Sequence, residues 1–130
     1  MEQIEQLTQA FSSAKYINIE TYRKSGEGIR TPVWFVESGG LLFFLTRADS
    51  GKVKRLRHNA LVKVAPCKMN GEPTGNWLSA EASPVESVES ISAVKSLFDQ
   101  KYGAALRISV ALSRLQKKKR VFYKVMLQPQ

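Results

Sequence analysis

Alternation of apolar and polar side chains dominates this chain and predicts strands. Over residues 15–23, Ile17, Ile19 and Thr21 fall on one face and Tyr16, Asn18, Glu20 and Tyr22 on the other. Ser25-Gly26-Glu27-Gly28 supplies a hairpin turn, residues 29–37 a second strand, Ser38-Gly39-Gly40 a second turn and residues 41–47 a third strand. Residues 61–68 alternate again and end at Asn70-Gly71-Glu72-Pro73-Thr74-Gly75. A fifth strand is expected at 77–85, and a sixth at 120–127 through Val121, Tyr123, Val125 and Leu127. Helical spacing predicts residues 3–14 (Ile4, Leu7, Ala10, Phe11, Ala14), a short basic helix at about 51–58, and 87–102. The last puts Val88, Ile91, Lys95, Phe98 and Tyr102 on one face, with Val94 and Leu97 alongside and Gly103 as its stop. Residues 104–115 read as a more apolar helix that needs cover, plausibly from another subunit. Six short strands with a contiguous meander at the front predict a mainly β fold, a six-stranded antiparallel barrel with helices at its ends.

Length makes residues 1–130 one domain, large enough for a core without disulfides or a structural metal. The lone Cys67, in an apolar strand, reads as an inert thiol of a reduced compartment. With no apolar leader run and no stretch of membrane-spanning length, a soluble, cytoplasmic protein is expected. Charge changes the picture more. The net charge of +9 is concentrated in two segments. Arg47, Lys52, Lys54, Arg55 and Arg57 against Asp49 give +4; Arg114, Lys117, Lys118, Lys119 and Arg120 give +5, and the rest of the chain balances to zero. A neutral body with two positive patches implies an anionic partner at defined places: a phosphorylated cofactor, a nucleic-acid backbone or an acidic lipid surface.

Two readings fit the first patch. Ser50 is a capping hydroxyl, Gly51 admits close approach, and Lys52 and Lys54 supply charge, which together make a phosphate seat. Alternatively, a solvated basic helix covers one barrel end, with Val53 and Leu56 packing beneath it. Pro32 removes a ladder donor inside an apolar strand, so it marks a bulge, an edge or a place where something else approaches. Trp34 shares its face, and either a planar ligand lies against Thr31–Trp34 or an edge strand carries a packed tryptophan. His58 follows the basic helix, where a capping or surface role fits best. Glu81 and Glu86 lack partners, and Tyr16, Tyr22, Tyr102 and Tyr123 read as packing residues. No metal-ligand spacing, nucleophile motif or dinucleotide fingerprint is present. No catalytic side chain is therefore assigned, which fits an enzyme whose cofactor performs the chemistry.

Four strings carry a resemblance: Thr31-Pro32-Val33-Trp34-Phe35; Thr46-Arg47-Ala48-Asp49-Ser50-Gly51-Lys52-Val53-Lys54-Arg55-Leu56-Arg57; Val64-Ala65-Pro66-Cys67; and Lys101-Tyr102-Gly103. In order and spacing, over about residues 14–126, the chain resembles the pyridoxamine 5′-phosphate oxidase-like superfamily of flavin and deazaflavin proteins, most of all its coenzyme F420-dependent branch. The resemblance implies an FMN-binding-like split β-barrel that works as a homodimer, with coenzyme F420 (a deazaflavin) or FMN at the subunit interface. It implies hydride transfer with a small unsaturated or quinone-like substrate. The implied cofactor-binding residues are Thr31, Pro32, Val33 and Trp34 along the ring, Leu45 and Thr46 beside it, and Ser50, Gly51, Lys52 and Lys54 at the phosphate. A Ser-Arg-Lys phosphate triplet of the oxidase branch falls on Ser50-Gly51-Lys52. Gly51 in place of arginine argues against pyridoxamine phosphate oxidase activity itself, and Lys54 could supply the lost charge. The haem-cleaving branch carries further histidine features that this chain lacks. Two rival functions remain: a non-catalytic flavin or deazaflavin carrier or sensor, and a nucleic-acid-binding barrel. The second is disfavoured because the basic residues cluster rather than interleave with aromatics.

Overall fold

The structure is a computed structural model that describes residues 6, 8–103 and 119–130. Its elements in chain order are β1 (Tyr16–Tyr22), β2 (Gly28–Ser38), β3 (Leu41–Arg47), α1 (Gly51–His58), β4 (Leu61–Cys67), β5 (Leu78–Pro84), α2 (Val88–Tyr102) and β6 (Arg120–Leu127). The strands close into an antiparallel barrel in the order β1-β2-β3-β6-β5-β4, with β4 returning to β1. Among the described residues no helix is long and apolar enough to cross a membrane.

Period-two alternation fills the barrel. Ile17, Ile19, Phe35, Leu42, Phe44, Val64 and Val125 are fully buried in one continuous core, and the facing rings of Phe44 and Tyr123 stack at 5.4 Å. Gly39 and Gly40 (φ 59° and 82°) make the tight β2–β3 turn, which a side chain at either position would strain. At one barrel end, Val53 and Leu56 of α1 join the core. Phe11 also joins it, its ring edge-on to Phe35 at 6.2 Å.

Phe11 does not sit in a helix, although the spacing over 3–14 predicts one. Residues 6, 8 and 9 are helical, but 10–13 form turns closed by Phe11 N–H to Thr8 O (3.0 Å) and Ala14 N–H to Phe11 O (3.1 Å). The helix predicted at 104–115 lies outside the described residues.

α2 packs on the outside of the barrel. Val94 and Phe98 are buried against Val36, Leu45, Trp34, Phe43 and Phe122. The expected stripe through Val88, Ile91 and Lys95 is corrected here: Val88 is 82% exposed, and Ile91 and Lys95 face solvent. Instead Val94 and Leu97 pack against the sheet, and the exposed Ser90 and Ala93 line a groove beside it. Ser90 and Ala93 are too small to fill the space beside β3, and a groove of about 470 Å3 is left there.

The last turn of α2 is latched to β2. Tyr102 Oη accepts from the Phe35 N–H (2.9 Å) and donates to the carbonyl of Phe35 (2.5 Å) or Lys15 (2.6 Å). It thus takes the place of the next β1 residue, since the β1–β2 ladder ends at Tyr16 opposite Trp34. Lys101 Nζ donates to the same Phe35 carbonyl (3.0 Å) and lies 3.7 Å from the Phe35 ring centroid.

Tyr102→Phe leaves the Phe35 N–H without its partner, so it should destabilise the protein by about 1–3 kcal/mol. Urea unfolding with an unchanged m-value checks this, and a loss below about 0.5 kcal/mol would show that the hydroxyl is not a latch. Burial lowers the Lys101 ammonium to about 8 from its usual 10.5 and raises the Tyr102 phenol above its usual 10.0. Between about pH 8 and 10 the unfolded chain then binds more protons at Lys101, so stability should rise with pH; above about 10, ionisation of the unfolded tyrosine reverses the trend. Lys101→Met should abolish the rise in a series of melts across this window.

Candidate functional site

β2 and β3 pair over only four positions, from Ser38 opposite Leu41 to Phe35 opposite Phe44. Beyond that point they part. β3 continues on β6 as far as Arg47 opposite Arg120, and β2 continues on β1 as far as Gly28 opposite Tyr22. The backbone direction of β2 follows from Phe35, whose N–H and carbonyl both address the β1 side through Tyr102. Alternate residues share that direction, so Val33 and Thr31 also face β1, while Pro32 and Trp34 turn theirs to the side that β3 has vacated. Proline is therefore harmless at position 32. It sits at a register position where β1 asks for no donor, and there is no β3 ladder to satisfy on the other side. The expected edge strand is thus half right: β2 is interior to the barrel but has one open edge over its first half.

A cleft of about 250 Å3 occupies this split. It is lined by Pro32, Val33 and Trp34 of β2, by Leu45, Thr46 and Arg47 of β3, by Lys52 of α1 and by Arg120 of β6. Trp34 is held from behind, its ring stacked on Tyr102 at 5.0 Å and 12° between planes. Thr46 Oγ1 lies 3.3 Å from Ser50 Oγ, which caps α1 by accepting from the Val53 N–H (3.4 Å). That cap turns the chain so that Lys52, two residues on, projects into the cleft. Burial, and then the neighbouring Arg55 charge, lower the pKa of Lys52. Across the mouth Arg120 is lowered likewise, by burial and by Arg47, while Arg47 is held bidentately by Asp49 (3.0 Å twice).

Of the residues that the sequence nominates, Pro32, Val33, Trp34, Leu45, Thr46 and Lys52 line one cleft. Thr31 adjoins it on the inward face shared with Val33, and its buried Oγ1 has no hydrogen-bond partner in the structure. Ser50 braces Thr46. Gly51 opens α1, and Lys54 points to solvent away from the cleft walls. Arg47 and Arg120 were visible only as members of charge patches; their meeting at the cleft is set by β3–β6 register, which no local pattern encodes. Lys117 and Lys118 lie outside the described residues. A larger cavity, about 730 Å3, opens between residues 10–16 and the β4–β5 connection, but Phe11, Ala14, Pro66, Met69 and Leu78 make it mostly apolar. The split is where open backbone, an aromatic ring and cations converge, with the orphaned Thr31 hydroxyl on the adjoining strand position. That donor set fits a planar, hydrogen-bonding group with an anionic end.

No protein-family model matches the chain, and no curated protein sequence matches it. Solved structures do. HutZ, the heme storage protein from Vibrio cholerae, superposes with a TM-score of 0.73 at 18% identity, over 97% of this chain and 90% of its own. A candidate pyridoxamine 5′-phosphate oxidase from Listeria innocua gives 0.67 at 9% identity, over 98% and 94%. A FAD-binding protein from Mesorhizobium loti gives 0.63 at 11% identity, over 96% and 87%. This chain has the pyridoxamine 5′-phosphate oxidase-like split-barrel fold. In the split barrel described here, the split is the parting of β2 from β3, and Pro32, Val33, Trp34, Leu45, Thr46 and Lys52 line that parting.

Thr31→Val should leave the stability of the ligand-free protein unchanged or raise it by up to about 1 kcal/mol, because it removes a buried hydroxyl that has no partner. A loss of more than about 1 kcal/mol in urea denaturation would mean that the hydroxyl is bonded in the folded protein.

Proposed function

We propose that this protein binds a phosphorylated flavin or deazaflavin in the β2–β3 split and serves as an oxidoreductase on a small unsaturated or quinone-like substrate. The observation that carries the reading is the open β2 edge at Pro32–Trp34 facing Lys52 across one cleft. The backbone groups of Trp34 and the Thr31 hydroxyl are the candidates for the ring's polar edge; Thr46 and Leu45 flank it. Lys52, with Ser50 and the Gly51 N–H, takes the phosphate, a charge-assisted contact. Bound there, such a cofactor supplies hydride transfer from its central ring, and the protein's part is to orient the ring and keep water from one of its faces.

A homodimer completes the site in this reading. A cleft of about 250 Å3 falls below the roughly 300–1,000 Å3 of pockets that enclose a small ligand, so a second wall is needed. Coenzyme F420 is favoured over FMN by Arg120, the member of the second basic patch that lines the cleft beside Arg47. A ligand ending at one phosphate needs only Lys52; one continuing into a carboxylate-bearing tail has a use for cations at the far mouth. A carrier or sensor without turnover would use the same cleft.

Lys52→Ala should weaken cofactor binding about ten- to a hundred-fold, the worth of one charge-assisted contact of roughly 1.5–3 kcal/mol, with Arg57→Ala much milder. Paired fluorescence titrations with FMN and coenzyme F420 at two salt concentrations check this. Equal small effects of the two substitutions would refute the phosphate assignment, and tighter, salt-insensitive binding of FMN would give the site to the flavin.

A further inference from the structure

We propose that Arg55 is the guanidinium of this site's phosphoryl end, and that residue 51 is glycine because Arg55 occupies the space a side chain there would fill. The proposal rests on the cofactor reading above and adds the group that grips the anion alongside Lys52. Arg55 stands one helical turn after Gly51, and a helical side chain leans back over the preceding turn. Its Nη1 comes to 2.7 Å from where a Cβ on Gly51 would lie, closer than two such atoms can sit. The head group is not loose: Nε donates to Oγ1 of the fully buried Thr21 on β1 at 2.7 Å. That bond uses one of five donors and leaves both Nη groups for an anion.

Two like charges are thus held together at the start of α1. Lys52 feels Arg55, and Arg55 in turn feels Arg23. Among the described residues, neither Lys52 nor Arg55 has a carboxylate within ion-pair distance, whereas Arg23, Arg30, Arg47 and Lys68 each have one. Partly buried cations gathered without a counter-charge raise the energy of the empty protein, and a bound phosphoryl group would relieve that repulsion. Lys54 turns to solvent and takes no part. The arrangement also accounts for glycine where the resemblance places arginine: the guanidinium arrives from the next turn and fills the space beside residue 51, from which a side chain there would displace it.

The test is a fluorescence titration of the full-length protein with FMN, and with riboflavin as its phosphate-free counterpart. Arg55→Gln should weaken FMN about ten- to a hundred-fold and leave riboflavin within about two-fold. Gly51→Ala separates this from damage to the fold. Alanine favours the helix, and the obstructing atom is only the tip of a flexible side chain, so the melting temperature should hold or rise while FMN binding falls several-fold. Unchanged FMN affinity in either variant, or equal losses for FMN and riboflavin in Arg55→Gln, would overturn the role of Arg55 while leaving the cleft assignment intact. Equal affinities of the wild-type protein for FMN and riboflavin, or no binding of FMN, would overturn the phosphoryl reading itself.

Discussion

The cleft proposed as the binding site depends on the failure of β2 and β3 to stay paired beyond Phe35 and Phe44. A closed barrel normally spends all of its backbone donors and acceptors on its ladders. Here β1–β2 and β3–β6 each run for seven paired positions, so both strands are well held on their far sides, and the gap between them is tolerated. The gap is also enforced. Pro32 offers no N–H to a returning β3, and Tyr102 fixes β2 from outside by bonding Phe35 and stacking on Trp34. Since Phe98 and Phe122 continue that aromatic stack, α2 is the brace that sets the cleft's width. A ligand wall built from strand backbone and a helix-braced ring is stiff, which lowers the ordering cost of binding.

Much of this was legible in sequence where the signal is local. The alternation of Ile17, Ile19 and Thr21 gave the strand and its inward face, and all three are fully buried. Ser50 announced a cap, and it is one. Pro32 in an apolar run announced a place where pairing fails, and β2 has an open edge there. What was not legible depends on register and on neighbours distant in sequence. That β6 inserts between β3 and β5 is not written in any turn, so Arg120 could not be brought to Arg47 by inspection. The face of α2 was misread because periodicity alone cannot say where a helix ends its contact. Val88 and Ile91 match the apolar stripe, yet both are exposed. The role of Tyr102 is non-local too: its hydroxyl completes a ladder 67 residues away in the chain.

The charges show why position matters more than count. Arg47 and Arg120 face each other across the β3–β6 register, an arrangement of like charges that is unfavourable on a sheet. Asp49 grips Arg47 bidentately and offsets part of that repulsion. The remaining cations, Lys52 and Arg55, are neighbours three residues apart on one helix, Lys52 lining the cleft and Arg55 anchored by Thr21. Net charge would have been the same had these groups been scattered. In the proposed reading, gathering them around a split in the barrel is what turns a basic protein into one with a defined anion site.

The same fold in proteins described as heme-storing and FAD-binding, at 9–18% identity to this chain, shows that the barrel does not choose its ligand. The choice falls to what lines the split. A porphyrin held through its iron asks the protein for an axial ligand above all. A flavin-type ring asks for hydrogen-bond partners along one polar edge and for cations at the end of its side chain. The lining here is of the second kind: a free strand edge with Thr31 adjoining it, Thr46, a tryptophan clamped by Tyr102, and lysine and arginine at the two ends. His58, the chain's one histidine, is exposed on the last turn of α1, the end opposite the one that carries Lys52 into the cleft. In the reading proposed above, the chemistry of the split is what selects among the ligands that the fold allows, in favour of one with a planar ring and a phosphate.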